Sequence, residues 1–176
     1  TAYKSYLVKF LDALGTDYIQ YDDYPFKSAT DGMWFWEKTT PYVDPTSLRN
    51  IQLIAELAKE RGLDVKVVTQ SCIMKKGGTD GNVLIRQITE DDARWLNNYL
   101  MGFGVKQINY FTYWPKFANS NSGEYFEDGG SFVNRDGTTT ALYGFMKTIM
   151  ANNTAFAPTI SHFDYNASKV VSNSYK

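Results

Sequence analysis

Asp17–Phe26, DYIQYDDYPF, decides how the rest of the chain is read. It opens with aromatic and β-branched residues, Tyr18, Ile19 and Tyr21, bounded upstream by Gly15, and so reads as a buried strand. The strand runs into Asp22-Asp23-Tyr24-Pro25. Adjacent carboxylates are costly to bury unless they are solvated, paired or used, and Pro25 disfavours helical geometry at Tyr24. In parallel α/β architectures the loops after the C-terminal strand ends carry the chemistry. Asp22, Asp23 and Tyr24 are therefore candidate pieces of a ligand pocket.

Upstream, Tyr3–Leu14 places Tyr6, Leu7, Phe10, Leu11 and Leu14 at helical spacing, with Gly15 as the stop. Downstream, Lys27–Asp44 is a long loop containing Met33-Trp34-Phe35-Trp36-Glu37. Loops of that length are more often functional than connecting, so it is either a pocket wall or a hydrophobic patch that packs on another subunit. Asp44-Pro45-Thr46-Ser47 starts a second helix with Ile51, Ile54, Ala55, Leu57 and Ala58 as its apolar stripe and Gly62 as its end. Asp64–Ile73, DVKVVTQSCI, is the next strand, ending in Gln70 and Ser71. Lys75–Asn82 reads as a solvated turn.

Thr89-Glu90-Asp91-Asp92 is a capping start with acids in the first turn, and its helix stops at Gly104. Val105–Trp114, VKQINYFTYW, is the third strand, followed by a polar loop over Asn119–Gly137 and a fourth helix over Thr138–Asn152. The tail after Pro158, TISHFDYNASKVV, alternates polar and apolar residues and reads as a strand of another layer. The expected division is a β/α unit over 1–157 and a tail, 158–176, that begins a following β segment. Helices alternating with strands predict a parallel sheet covered by helices, either doubly wound or part of a barrel. No GxGxxG follows any strand, so a dinucleotide fold has no support.

The chain has 176 residues, enough for one domain but short of the roughly 250 of a complete eightfold barrel. A net charge of −1 leaves no basic excess for nucleic acid. Aromatics at 16% exceed what a core requires, and aromatic clefts suit sugar rings. Cys72 is the single cysteine and falls in an apparent strand, where packing is its expected role. His162 is the single histidine, in the tail, which excludes Ser-His or Cys-His chemistry in the β/α part and a multi-histidine metal site. No stretch has the roughly 20 apolar residues of a membrane span, and no signal peptide opens the chain. The chain begins without Met, directly in a helix, so we expect a piece of a longer protein.

Three motifs in order resemble the last third of a glycoside hydrolase barrel. The group is that of the bacterial β-galactosidases of family forty-two and related bacterial surface proteins. DYIQYDDYPF resembles that family's sixth strand, VKVVTQSCI the seventh, which carries the nucleophilic glutamate, and GVKQINYFTYWP the eighth. EDGGSFVNRDGTTTALYGFMKTI resembles its closing loop and last helix, so the likeness runs from about Tyr3 to Asn153. The resemblance implies a partial TIM barrel, strands six to eight with flanking helices in a parallel sheet. Hydrolysis in such barrels uses two glutamates, roughly 5–5.5 Å apart in retaining enzymes. The fourth strand with its acid/base has no counterpart here, and the nucleophile position reads Thr69-Gln70-Ser71. Gln70 has the shape of a glutamate without its charge and cannot attack an anomeric carbon. Either binding has outlived hydrolysis, or other carboxylates such as Asp22, Asp23 or Glu124 serve.

The expected binding residues are Asp22 and Asp23 at the rim, Tyr24, Tyr113 and Trp114 stacking on a ring face, Trp34 and Trp36 on the long loop, and Gln70 on the floor. Each has a plain alternative: a cap for one aspartate, core packing for the rings, a satisfied buried amide for Gln70. Glu37, Glu124, Glu127 and Asp128 read as solvated. The implied partner is carbohydrate, with no cofactor and no metal. A few β/α units leave sheet edges unpaired, so self-association, or pairing with a missing N-terminal half, is expected. The family style implies an extracellular or cell-surface location, and the sequons at Asn152 and Asn166 leave that open.

Overall fold

In the computed structural model the described residues are 2–28, 40–77, 82–115 and 123–168. The chain runs α1 (Ala2–Leu14), β1 (Tyr18–Asp22), β2 (Phe26–Lys27), β3 (Tyr42–Val43), α2 (Pro45–Arg61), β4 (Asp64–Gln70), β5 (Met74–Lys76), β6 (Asn82–Ile85), α3 (Glu90–Gly102), β7 (Val105–Phe111), β8 (Glu124–Phe126) and α4 (Ala141–Ile160).

The helix boundaries follow from local chemistry. Asp44 caps α2 by accepting from the Thr46 N–H at 2.8 Å, Pro45 fills the first turn, and Gly62 ends the helix at φ +67°. Thr89 and Asp92 form a reciprocal capping box at α3. Beyond α3, Gly104 sits at φ +75°, and a Cβ there would come 3.2 Å from the Tyr165 backbone nitrogen. Conformation and space both call for glycine.

β1, β4 and β7 form a parallel sheet in that order, with Gln20 opposite Lys66 and Lys66 opposite Gln107. Ile19, Val65, Val67 and Val105 turn toward the helices and join one core with Ile51, Ile54 and Leu57 of α2, Leu96 and Leu100 of α3, and Leu142, Met146 and Ile149 of α4. Burial of these aliphatic faces, at about 25 cal/mol per Å² of apolar surface, drives assembly.

The expectation of a partial TIM barrel is overturned here. Among the described residues three strands are parallel, and the other five make a separate antiparallel sheet in the order β3-β2-β6-β5-β8. The reason lies at the C-terminal end of each parallel strand. The chain does not cross directly to a helix; it makes excursions that pair with one another, β2 with β3 and β6, β5 with β6 and β8. These excursions carry Phe26, Leu84, Ile85 and Phe126, all buried, and their backbone groups must be paired once those side chains leave water. The segments read as a solvated turn and a polar loop thus supply β5, β6 and β8.

α4 begins at Ala141 rather than 138 and continues through Pro158 to Ile160. Residues 161–168 follow without regular structure, and Tyr165 stacks on Phe103 with ring centroids 5.2 Å apart. The remainder of the tail, 169–176, lies outside the described residues. Among the described residues no helix is long and apolar enough to cross a membrane.

Candidate functional site

The face of the parallel sheet turned away from the helices is open. Strand alternation places Tyr18, Gln20 and Asp22 of β1, Lys66 and Val68 of β4, and Gln107, Asn109 and Phe111 of β7 on it, all half-buried or exposed. Gln107 donates to the Asn109 carboxamide oxygen at 3.0 Å, and the Lys66 ammonium lies 3.7 Å from the centroid of the Tyr18 ring. At about 4.8 Å per strand and 3.3 Å per residue the surface measures roughly 10 by 13 Å. Its polar groups are amides, one ammonium, the Tyr18 hydroxyl and the Asp22 carboxylate, beside Val68 and the Phe111 ring.

Rings close its C-terminal end. Tyr24 tilts over Phe111 at 6.0 Å, and Phe111 meets Phe126 of the second sheet edge-on at 5.7 Å. The Tyr24 hydroxyl is driven to a higher pKa by burial and by the neighbouring Asp22 carboxylate, to which it hydrogen-bonds. Ser71 clamps the end of β7: its N–H donates to Phe111 O at 2.7 Å and its hydroxyl to Thr112 O at 3.1 Å. Tyr113 packs beside Phe132 at 6.1 Å but is 61% exposed, and Trp114 is 38% exposed.

The residues expected to bind together are separated. Asp22 is exposed on the open face. Asp23 turns the other way, toward the first turn of α2, where burial raises the carboxyl's pKa against the opposing influence of a hydrogen bond from the Ser47 hydroxyl and of the nearby Lys27 charge. Gln70 is fully buried between the two sheets. Its Oε1 accepts from the Phe26 N–H at 2.8 Å, and its Nε2 donates to Arg86 O at 2.9 Å and Phe26 O at 3.4 Å. That amide fastens β4 to β2 and to the chain leaving β6, and its complete burial keeps it from any ligand. Trp34, Trp36 and Glu37 lie outside the described residues. Glu127 pairs with Lys75 at 3.0 Å, and Asp128 accepts from the Arg135 N–H at 2.9 Å. Among the described residues no group of His, Cys, Asp and Glu could hold a metal ion.

Sequence reasoning passed over Gln20, Lys66, Gln107, Asn109 and Phe111. Their signal was available in the alternation of the three strands, whose second face is polar while the first is aliphatic. Cys72, just past β4, is buried, and burial pushes its thiol up to about 12.

Comparison of the chain with family models, with curated proteins and with solved structures finds no match.

Proposed function

We propose that the open face of the parallel sheet binds neutral carbohydrate, and that this chain does not hydrolyse it. The observation that carries the reading is the pairing of a flat polar surface, built from Gln20, Asp22, Gln107 and Asn109, with rings from Tyr24 and Phe111 at its end. Planar amides and carboxylates hydrogen-bond to hydroxyl groups, and ring faces stack on the C–H face of a sugar. The resemblance of the three strand motifs to β-galactosidases points the same way. Hydrolysis lacks support because glycosidases need two carboxyl groups flanking one bond. Here Asp23 faces away from Asp22, and Gln70, at the position resembling the family's nucleophile, is committed to backbone bonds.

Titration calorimetry of the chain against a panel of neutral oligosaccharides tests this. Asp22→Ala and Phe111→Ala should each weaken binding by about tenfold or more, equivalent to roughly 1.4 kcal/mol; Asp22→Ala should leave thermal stability unchanged, whereas Phe111→Ala should also lower it by removing the ring contacts to Tyr24 and Phe126. Nitrophenyl galactosides and glucosides should release no nitrophenol. Absence of binding across the panel, or variants that bind like the parent, would remove the reading.

A further inference from the structure

We propose that residues 161–168, which follow α4 without regular structure, form a latch: a strap that shuts over the N-terminal end of the parallel sheet and opens as one unit while the rest of the fold stays intact. Its hinge is the turn at the end of α4, where the Phe163 N–H donates to Ile160 O at 2.9 Å.

Side chains fasten the strap at three points. Lys106 of β7 donates to the Ser161 and Phe163 carbonyl oxygens, each at 3.1 Å. The Tyr165 ring, 8% exposed, stacks on Phe103. Lys59, near the end of α2, donates to Asn166 O at 3.2 Å and to Asn166 Oδ1 at 3.1 Å. Among the described residues no backbone–backbone hydrogen bond ties 164–168 to a helix or strand, and every residue of the strap but Tyr165 is exposed. Free energies of local opening run from near zero up to that of global unfolding. Hydrogen bonds from exposed ammonium groups add little to closure, because water replaces them. One buried ring therefore dominates the closing free energy, and Tyr165 is the pin. The closed state is nonetheless built into the fold, since Gly104 leaves room for the Tyr165 backbone that a Cβ would crowd. Tyr165 also borders hollows of about 280 and 310 Å³, the first against the end of α2 and the second against the ends of α3 and α4, so the ring has space to swing out. Opening uncovers Ala55, Ala58, Val65 and Phe103, which line the first hollow with it.

Thiol labelling of the full chain tests the latch, with the native Cys72 as internal control. Ala58 is 2% exposed and lines the hollow that Tyr165 borders, so Ala58→Cys places a thiol beneath the strap. Adding Tyr165→Ala should speed labelling of that thiol by about tenfold or more, with the Cys72 rate and the far-ultraviolet circular dichroism unchanged. Val65→Cys, in the same hollow, gives the same measurement should Ala58→Cys fail to fold. Equal acceleration of both thiols would mean that the strap opens only with the whole fold, and acceleration of neither would mean that Tyr165 is not its pin. Each of those results overturns the proposal.

Discussion

Gln70 shows how a single amide can be indispensable without meeting a ligand. Its oxygen takes one backbone N–H and its nitrogen serves two carbonyls, so both ends of the group are required. Gln70→Glu keeps the shape, removes the donors and aims a carboxylate at two carbonyl oxygens. We expect a loss of about 1–3 kcal/mol at pH 7, the cost of unsatisfied buried groups. Burial beside carbonyls raises the introduced carboxyl's folded pKa above its unfolded value of roughly 4.3. The loss should therefore be small below that pH, where the protonated carboxyl donates again, and should grow as pH rises through the folded pKa. Denaturant melts at pH 4 and pH 7 measure it, and an equal loss at both would refute this account. The variant should also gain no glycosidase activity. That Gln70 lacks a nucleophile's charge is plain from its identity, whereas its partners, 44 and 16 residues away in sequence, are not.

Among the elements, local features were legible and distant ones were not. The caps at Asp44 and Thr89 and the stop at Gly62 sit where their residue types demand. So do β1, β4 and β7, although the aliphatic alternation is unbroken only in β4 and slips in β7, where the register shifts after Val105. β2, β3, β5 and β8 are two or three residues long, and Met74-Lys75-Lys76 carries charge. Such segments become strands only through pairing such as Met74 with Phe126, a non-local contribution that propensity does not hold. The closing loop leaves its own mark at Gly130, where a Cβ would fall 2.6 Å from the Ile73 backbone nitrogen. Gly130→Ala should cost about 1–3 kcal/mol. Gly144→Ala, within α4 and with nothing within 4 Å of the added methyl, should instead add about 0.5–1 kcal/mol. Thermal melts of the two variants moving in the same direction would contradict the geometry.

At the scale of the whole molecule, the helix-facing side of the sheet is sealed and the flanks are not. Of the five apolar residues at helical spacing in α1, Leu7 and Leu11 are buried and Tyr6, Phe10 and Leu14 are exposed. Tyr3, Tyr6 and Phe10 stack along it at 6.5 and 6.0 Å. Among the described residues, β1 and β7 each have a neighbouring strand on one side only, the arrangement that invites further pairing. We therefore expect self-association: light scattering at micromolar concentration should give a mass above the 20.0 kDa of one chain. Tyr6→Lys with Phe10→Lys should shift it toward the monomer. A clean monomer that binds no hydrophobic dye would count against it.

Cys72 stands at the seam where the chain passes from one sheet to the other after β4, with its thiol protonated at any physiological pH. A thiol reagent can reach it only when that seam parts, since both exposure and thiolate are needed for attack. The pace of its modification is thus a clock for the breathing of the junction, built into the chain without any added label.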